Sequence, residues 1–150
     1  MGHTYSRLLF HVVFSTKERR PLIHESFGPR LYDYMGGIAR HEFGRSLGVG
    51  GAADHVHGLL SVNPAVSVAE AMRKWKSLSS LWVHETFPQR RDFAWQEGYG
   101  AFSVSPSNAE AVCRYIAGQE KHHRQLTFQE EFIALLERHG IEYDPARIWD

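Results

Sequence analysis

The chain has 150 residues, with 17 basic and 17 acidic side chains, 43% hydrophobic and 23% charged residues, and one cysteine. That is about one globular domain, and its longest apolar runs fall far short of the ~18 residues that a membrane span needs. Zero net charge leaves no global footprint of nucleic-acid binding, and the lone Cys113 excludes an internal disulfide or a multi-cysteine zinc site.

The charge is unevenly placed. Residues 129–150 carry six acids (Glu130, Glu131, Glu137, Glu142, Asp144, Asp150) against two bases, leaving fifteen bases and eleven acids in residues 1–128. A mildly basic body with an acidic tail results. The N-terminus lacks the basic-then-apolar pattern of a signal peptide, which together with the single thiol fits a reducing cytoplasm.

Residues 5–15 (YSRLLFHVVFS) are rich in β-branched and aromatic side chains and predict a buried central strand. It exits into Lys17-Glu18-Arg19-Arg20-Pro21, either a solvated turn or a phosphate clamp at a strand end. Residues 26–43 predict a helix, with Phe27, Leu31, Tyr34 or Met35, and Ile38 on one side. Its Gly36-Gly37 pair weakens it or lets another backbone approach closely. Residues 47–53 and 55–62 predict two strands, possible hairpin partners without an Asn-Gly turn to set their register.

Ser67 caps a second helix, and Glu70 three residues later completes a capping-box pattern. Val68, Ala71 or Met72, Trp75, Leu78 or Ser79, and Trp82 mark its core stripe, flanked by Arg73, Lys74 and Lys76. Such a run is usually a solvated face, but Trp75 among three bases also suits a nucleic-acid-facing surface. Residues 99–105 predict a fourth strand, 109–124 a third helix and 127–139 a last one, before a short acidic tail anchored by Trp149. The order β-α-β-β-α-β plus two helices is the split-βαβ, ferredoxin-like (RRM-like) plan: an α+β fold with an antiparallel sheet, helices on one face and additional C-terminal helices. Such a fold hosts many functions, so the site carries the functional argument.

Asp54-His55-Val56-His57 and Tyr115-Ile116-Ala117-Gly118-Gln119 are the candidate site. On a strand His55 and His57 share a face; on a helix Tyr115 and Gln119 stack one turn apart. Two imidazole nitrogens and the amide oxygen of Gln119 make a set with open positions that suits Mg²⁺ or Mn²⁺, where a closed zinc site would need a fourth ligand. A tyrosine hydroxyl beside such an ion can attack phosphorus and form a covalent intermediate. The plainer readings are core histidines and a core tyrosine with its hydroxyl at the rim. His122 shares the Tyr115 face and is a candidate proton relay, with His123 beside it.

These residues resemble the HUH motif (histidine, hydrophobic residue, histidine) and the tyrosine helix of the single-tyrosine HUH transposases. That family comprises transposases of small bacterial insertion sequences that move as single-stranded DNA, together with the REP-associated tyrosine transposases. The opening strand with its basic exit, His11 to Lys17, and the Lys76-Ser77 step are similar as well, so the resemblance spans most of residues 5–125. It implies a single transposase domain over residues 1–150, with a core of about 5–125 and a helical extension of about 126–150. It implies that His55, His57 and Gln119 hold one divalent ion per site and that Tyr115 attacks to give a 5′-phosphotyrosine and a free 3′-hydroxyl. It implies single-stranded DNA with hairpin ends as partner, an intertwined homodimer sharing active sites, and the bacterial cytoplasm. Lys17, Arg19, Arg20, Arg73, Lys74 and Lys76 are the candidate DNA contacts. A non-catalytic nucleic-acid-binding module and a phosphodiesterase using water stay open beside this. Gly118, inside the tyrosine helix, is a departure that predicts a less rigid helix.

Overall fold

The computed structural model describes residues 2–122 and 125–150, excepting the side chain of His122. Four antiparallel strands form one sheet in the order β2-β3-β1-β4: β1 (Leu9–Ser15), β2 (Gly44–Ala52), β3 (His55–Val62) and β4 (Gly100–Val104). Helix α1 (Gly28–Glu42) links β1 to β2, and α2 (Val68–Thr86) links β3 to β4. The arrangement is the ferredoxin-like split fold that the element order predicts. Its two central strands, β1 and β3, are the most continuously buried.

Strand alternation sorts the sheet into two faces. Val12 and Phe14 of β1 and Val56 and Leu60 of β3 face α1 and α2, packing with Leu31, Met35, Met72 and Trp75. Leu9, His11 and Val13, with His55, His57 and Leu59, face the opposite way. The C-terminal helices α3 (Ala109–Ala117), α4 (Gln119–His122) and α5 (Phe128–Arg138) cover that side. Ile116 of α3 packs with Leu9 and Leu59, while Phe128, Leu135 and Leu136 of α5 pack with Val13 and Phe102.

Trp75 belongs to the core and not to a nucleic-acid surface. It is fully buried, its indole N–H donates to the Met35 carbonyl at 2.8 Å, and its ring meets Phe14 edge-on. The two adjacent strands β2 and β3 do form a hairpin, paired from Ala52 and His55 back to Gly44 and Val62, with an irregularity between Ser46 and Gly48. β2 begins three residues earlier than its sequence suggests, because pairing with β3 draws in the polar Gly44–Ser46 stretch. The Gly36 backbone lies against this strand, where a Cβ would meet Ser46 Oγ at 3.2 Å.

The expected single helix over residues 109–124 is two helices, broken at Gly118. Its N–H donates to the carbonyls of both Arg114 (3.1 Å) and Tyr115 (3.3 Å), a tightened last turn that ends α3 before α4 begins. Helix α5 has both arms of a capping box: Thr127 Oγ1 accepts from the Glu130 N–H, and the Glu130 carboxylate accepts from the Thr127 N–H. Among the described residues no helix is long and apolar enough to cross a membrane.

Candidate active site

The His55 and His57 side chains emerge from β3 beneath the C-terminal helices, and both are fully buried. Each ring is oriented by one nitrogen. His55 Nδ1 donates to Asp54 Oδ1 at 2.7 Å, and His57 Nδ1 shares a 2.8 Å hydrogen bond with Nε2 of His11 on the neighbouring strand. These bonds leave both Nε2 atoms pointing at a common centre, since the partner of one ring nitrogen decides what the other can do. His11 is itself buried and held neutral: burial, then the proximity of His57, pushes its pKa down to about 3.

Gln119 opens α4 directly after the break at Gly118, and the break does not separate it from the histidines. Its Oε1 lies 2.9 Å from His55 Nε2, and its side chain is buried. Tyr115 stands one turn earlier, its ring edge-on to His57 at 5.7 Å and to His11 at 6.0 Å between centroids. Thus His55, His57, Gln119 and Tyr115 all meet, and they do so within one chain. The side chain of His122 and all of His123, the expected proton relay, lie outside the described residues.

A fifth group occupies the centre. Glu131, from α5, is only 2% exposed. Its Oε1 lies 2.9 Å from His57 Nε2 and 3.5 Å from His55 Nε2. Its Oε2 accepts from Gln119 Nε2 at 3.2 Å and from the Tyr115 hydroxyl. Burial raises the Tyr115 pKa well above that of an ordinary phenol, and the hydrogen bond to Glu131 and its negative charge raise it further. Gln119 and the Arg138 charge oppose that rise.

The donor set suits a divalent cation. The ligand atoms of His55, His57 and Glu131 lie within 4.8 Å of one another, all buried. With Gln119 Oε1 they offer two neutral nitrogens, one neutral oxygen and one anionic oxygen. A buried carboxylate beside imidazoles gains from a cation that offsets its charge.

Sequence reasoning missed Glu131 as a site residue and did not assign His11 this role. For Glu131 a signal existed: Phe128, Phe132, Leu135 and Leu136 form the apolar stripe of α5, and Glu131 interrupts that stripe at helical spacing. A carboxylate on a buried helix face needs a partner. For His11 no local signal existed, because the β1–β3 register brings it to His57.

The basic clusters part company. Lys17, Arg19 and Arg20 follow β1 beside the histidines: the Thr16 N–H and hydroxyl both donate to the Asp54 carbonyl, tying this exit to the β2–β3 turn. Arg19 lies over the Trp149 ring at 5.1 Å, and Arg20 pairs with Asp92 at 3.7 Å. Arg73, Lys74 and Lys76 lie on α2, across the sheet from the site. Arg73 pairs with Glu70 at 2.6 Å and Lys74 with Glu42 at 3.5 Å. The Lys76 ammonium donates to the carbonyls of Glu97 and Gly98, and burial pushes its pKa down to about 8.

The chain and its fold are similar to known proteins. The sequence model of the family described as "Transposase IS200 like" matches residues 4–119. The chain is 28% identical over 116 residues to the transposase for insertion sequence element IS200 of Salmonella typhimurium, covering 73% of this chain and 76% of that one. It is 24% identical over 123 residues to the ISDra2 transposase TnpA of Deinococcus radiodurans, covering 79% and 87%. The fold is similar to the crystal structure of a candidate transposase from Deinococcus radiodurans, with a TM-score of 0.62, 22% identity, and coverage of 79% of this chain and 96% of that one. The family match stops at Gln119, so α5 and Glu131 lie beyond it.

Proposed function

Since the chain belongs to the IS200-like transposase family, we propose that it cuts and rejoins single-stranded DNA through a 5′-phosphotyrosine on Tyr115, with one divalent ion per site. The observation that carries this reading is the meeting of the Tyr115 hydroxyl with the His55, His57 and Gln119 side chains around one carboxylate, Glu131.

His55 Nε2, His57 Nε2, Gln119 Oε1 and the Glu131 carboxylate are the groups that would hold Mg²⁺ or Mn²⁺. Such an ion supplies Lewis-acid polarisation of a phosphate oxygen. Asp54 and His11 hold the two imidazoles with their Nε2 atoms inward. The two oxygens of Glu131 divide their work, Oε1 toward the histidines and Oε2 toward Tyr115. A phenol with a raised pKa does not ionise by itself near neutrality, so its proton leaves during attack, and Glu131 Oε2 already accepts the hydrogen bond along which it moves. The Tyr115 oxygen bonds to phosphorus, the bond to the 3′-oxygen breaks, and the departing oxygen takes a proton from solvent. Attack of another 3′-hydroxyl on the phosphotyrosine reverses the step and joins strands without ATP.

The substrate in this reading is single-stranded DNA with hairpin ends, in a bacterial cytoplasm. Lys17, Arg19 and Arg20 contact it beside the site, and Arg73, Lys74 and Lys76 form a second surface behind the sheet. The protein acts as a homodimer. Because Tyr115 stands beside its own chain's His57, each chain is able to complete a site within itself.

Incubation with Mn²⁺ and a hairpin library labelled at both ends, followed by denaturing electrophoresis, tests this. The expected product is a covalent adduct carrying the DNA 3′ of the cut, absent with Tyr115→Phe. Nicking that survives Tyr115→Phe without an adduct would instead assign water as nucleophile.

A further inference from the structure

Beside Tyr115, away from the metal-ligating group, a cleft of about 380 Å³ opens between α3, β4 and α5. The volume falls within the ~300–1,000 Å³ of small-ligand sites. The sheet order sets its position: His55 and His57 stand on β3, His11 on β1 next to them, and the cleft lies over β1 and β4. Tyr115 forms one wall, Ser103 and Asn108 contribute polar groups, and Arg138 and His139 come from α5. Among the described residues no acidic side chain lines it.

Two of these residues have chemistry that the reaction at Tyr115 has not used. Arg138 is exposed and, among the described residues, is in no ion pair, whereas Arg20, Arg73 and Arg114 each have a carboxylate. Its charge reaches the phenol, where it favours the ionised form, and His11, where it disfavours protonation. The His139 ring stacks on Phe102, with centroids 4.4 Å apart and planes 22° apart, and its Nδ1 donates to the Leu135 carbonyl at 2.8 Å. It is a flat ring, pinned in position and exposed at the cleft wall. A free guanidinium next to a pinned ring is the combination that takes a phosphate and a base.

We infer that this cleft seats the nucleotide next to the scissile phosphate of single-stranded DNA, with Arg138 paired to its phosphate and His139 beneath its base. The inference rests on the reading of Tyr115 as a nucleophile toward DNA and adds to it a path for the strand across the sheet. It also gives the helix beyond the family match a task at the substrate.

The test is equilibrium binding of a fluorescent random-sequence single-stranded 12-mer to the full chain in EDTA, across a salt series, paired with the adduct assay. Arg138→Gln should weaken binding roughly five- to tenfold and reduce the slope of log K against log salt by about 0.7, the loss of one phosphate contact on a single strand. Ala111→Trp, which fills the cleft but keeps the charge, should weaken binding as well. Arg147→Gln, which removes an exposed charge from the tail, should change neither affinity nor slope. Arg138-dependent binding without any adduct would uphold the cleft and overturn Tyr115 as nucleophile. An adduct formed equally by wild type and Arg138→Gln, with an unchanged salt slope, would overturn the cleft and leave the nucleophile standing. Absence of measurable binding by the wild type would overturn both.

Discussion

Replacing Glu131 by alanine removes the acceptor shared by His57 Nε2, Gln119 Nε2 and the Tyr115 hydroxyl. Each of the three donors loses its bond to a buried carboxylate, at about 1 kcal/mol apiece, so the losses together amount to roughly 3 kcal/mol. Two effects reduce that sum. Tyr115 is partly exposed, so water can reach its hydroxyl, and the carboxylate's own desolvation cost disappears with it. A net destabilisation of about 2 kcal/mol is expected, which in a chain of this length lowers Tm by roughly 4–8 °C. The metal response is the sharper readout. An ion bound only by the folded state adds about 2.7 kcal/mol at a hundredfold excess over Kd. Loss of the one anionic ligand should weaken Mn²⁺ by at least about tenfold, removing about 1.4 kcal/mol of that gain. Differential scanning fluorimetry of wild type and Glu131→Ala, each with EDTA and across a Mn²⁺ series, separates the two effects. If both proteins melt together and are raised equally by Mn²⁺, Glu131 neither holds the site together nor ligates the ion.

Two further perturbations address the supports of the site. His11, held down to about pKa 3 mainly by burial, binds its proton more weakly in the folded than in the unfolded chain. Its contribution to stability is therefore present above an unfolded value near ~6.5 and is lost as pH falls toward 3, amounting to about 3 kcal/mol lost by pH 4. Urea titrations at pH 7 and pH 4 should show a smaller acid-induced loss in His11→Phe than in wild type; the same variant, lacking the partner of His57 Nδ1, should bind Mn²⁺ about 10–100-fold more weakly by calorimetry. In Gly50→Ala the new Cβ would lie 2.7 Å from the Ile116 carbonyl oxygen, in the helix that carries Tyr115. The helix must shift off β2, with an expected cost of about 1–3 kcal/mol and a loss of adduct formation beyond what destabilisation explains; unchanged activity would mean that α3 has room to move.

The two motifs differ in how far local chemistry reaches. Strand alternation is a property of the backbone, so His55 and His57 had to share a face wherever β3 lay, and their sharing it was legible without a structure. The Ser67 cap and the β-α-β-β-α-β order were equally local, and each stands in the fold. The pairing of Tyr115 with Gln119 survived the break at Gly118, since both side chains still meet the histidines. Trp75 allowed two readings in the sequence, core stripe or nucleic-acid surface, and the core reading is the one that stands. Its neighbours in sequence are basic, but its neighbours in space are Phe14 and Met35.

By itself the sequence determined the elements, their order, the two histidines on one face and the tyrosine one turn from a glutamine, because these follow from periodicities of two and 3.6 residues. Tertiary structure alone decided that Glu131 closes the site, that His11 orients His57 and that Arg138 stands by Tyr115. Those contacts depend on sheet register and on where α5 docks, and both are set by side chains far apart in the chain: Val13 and Phe102 meeting Phe128 and Leu135.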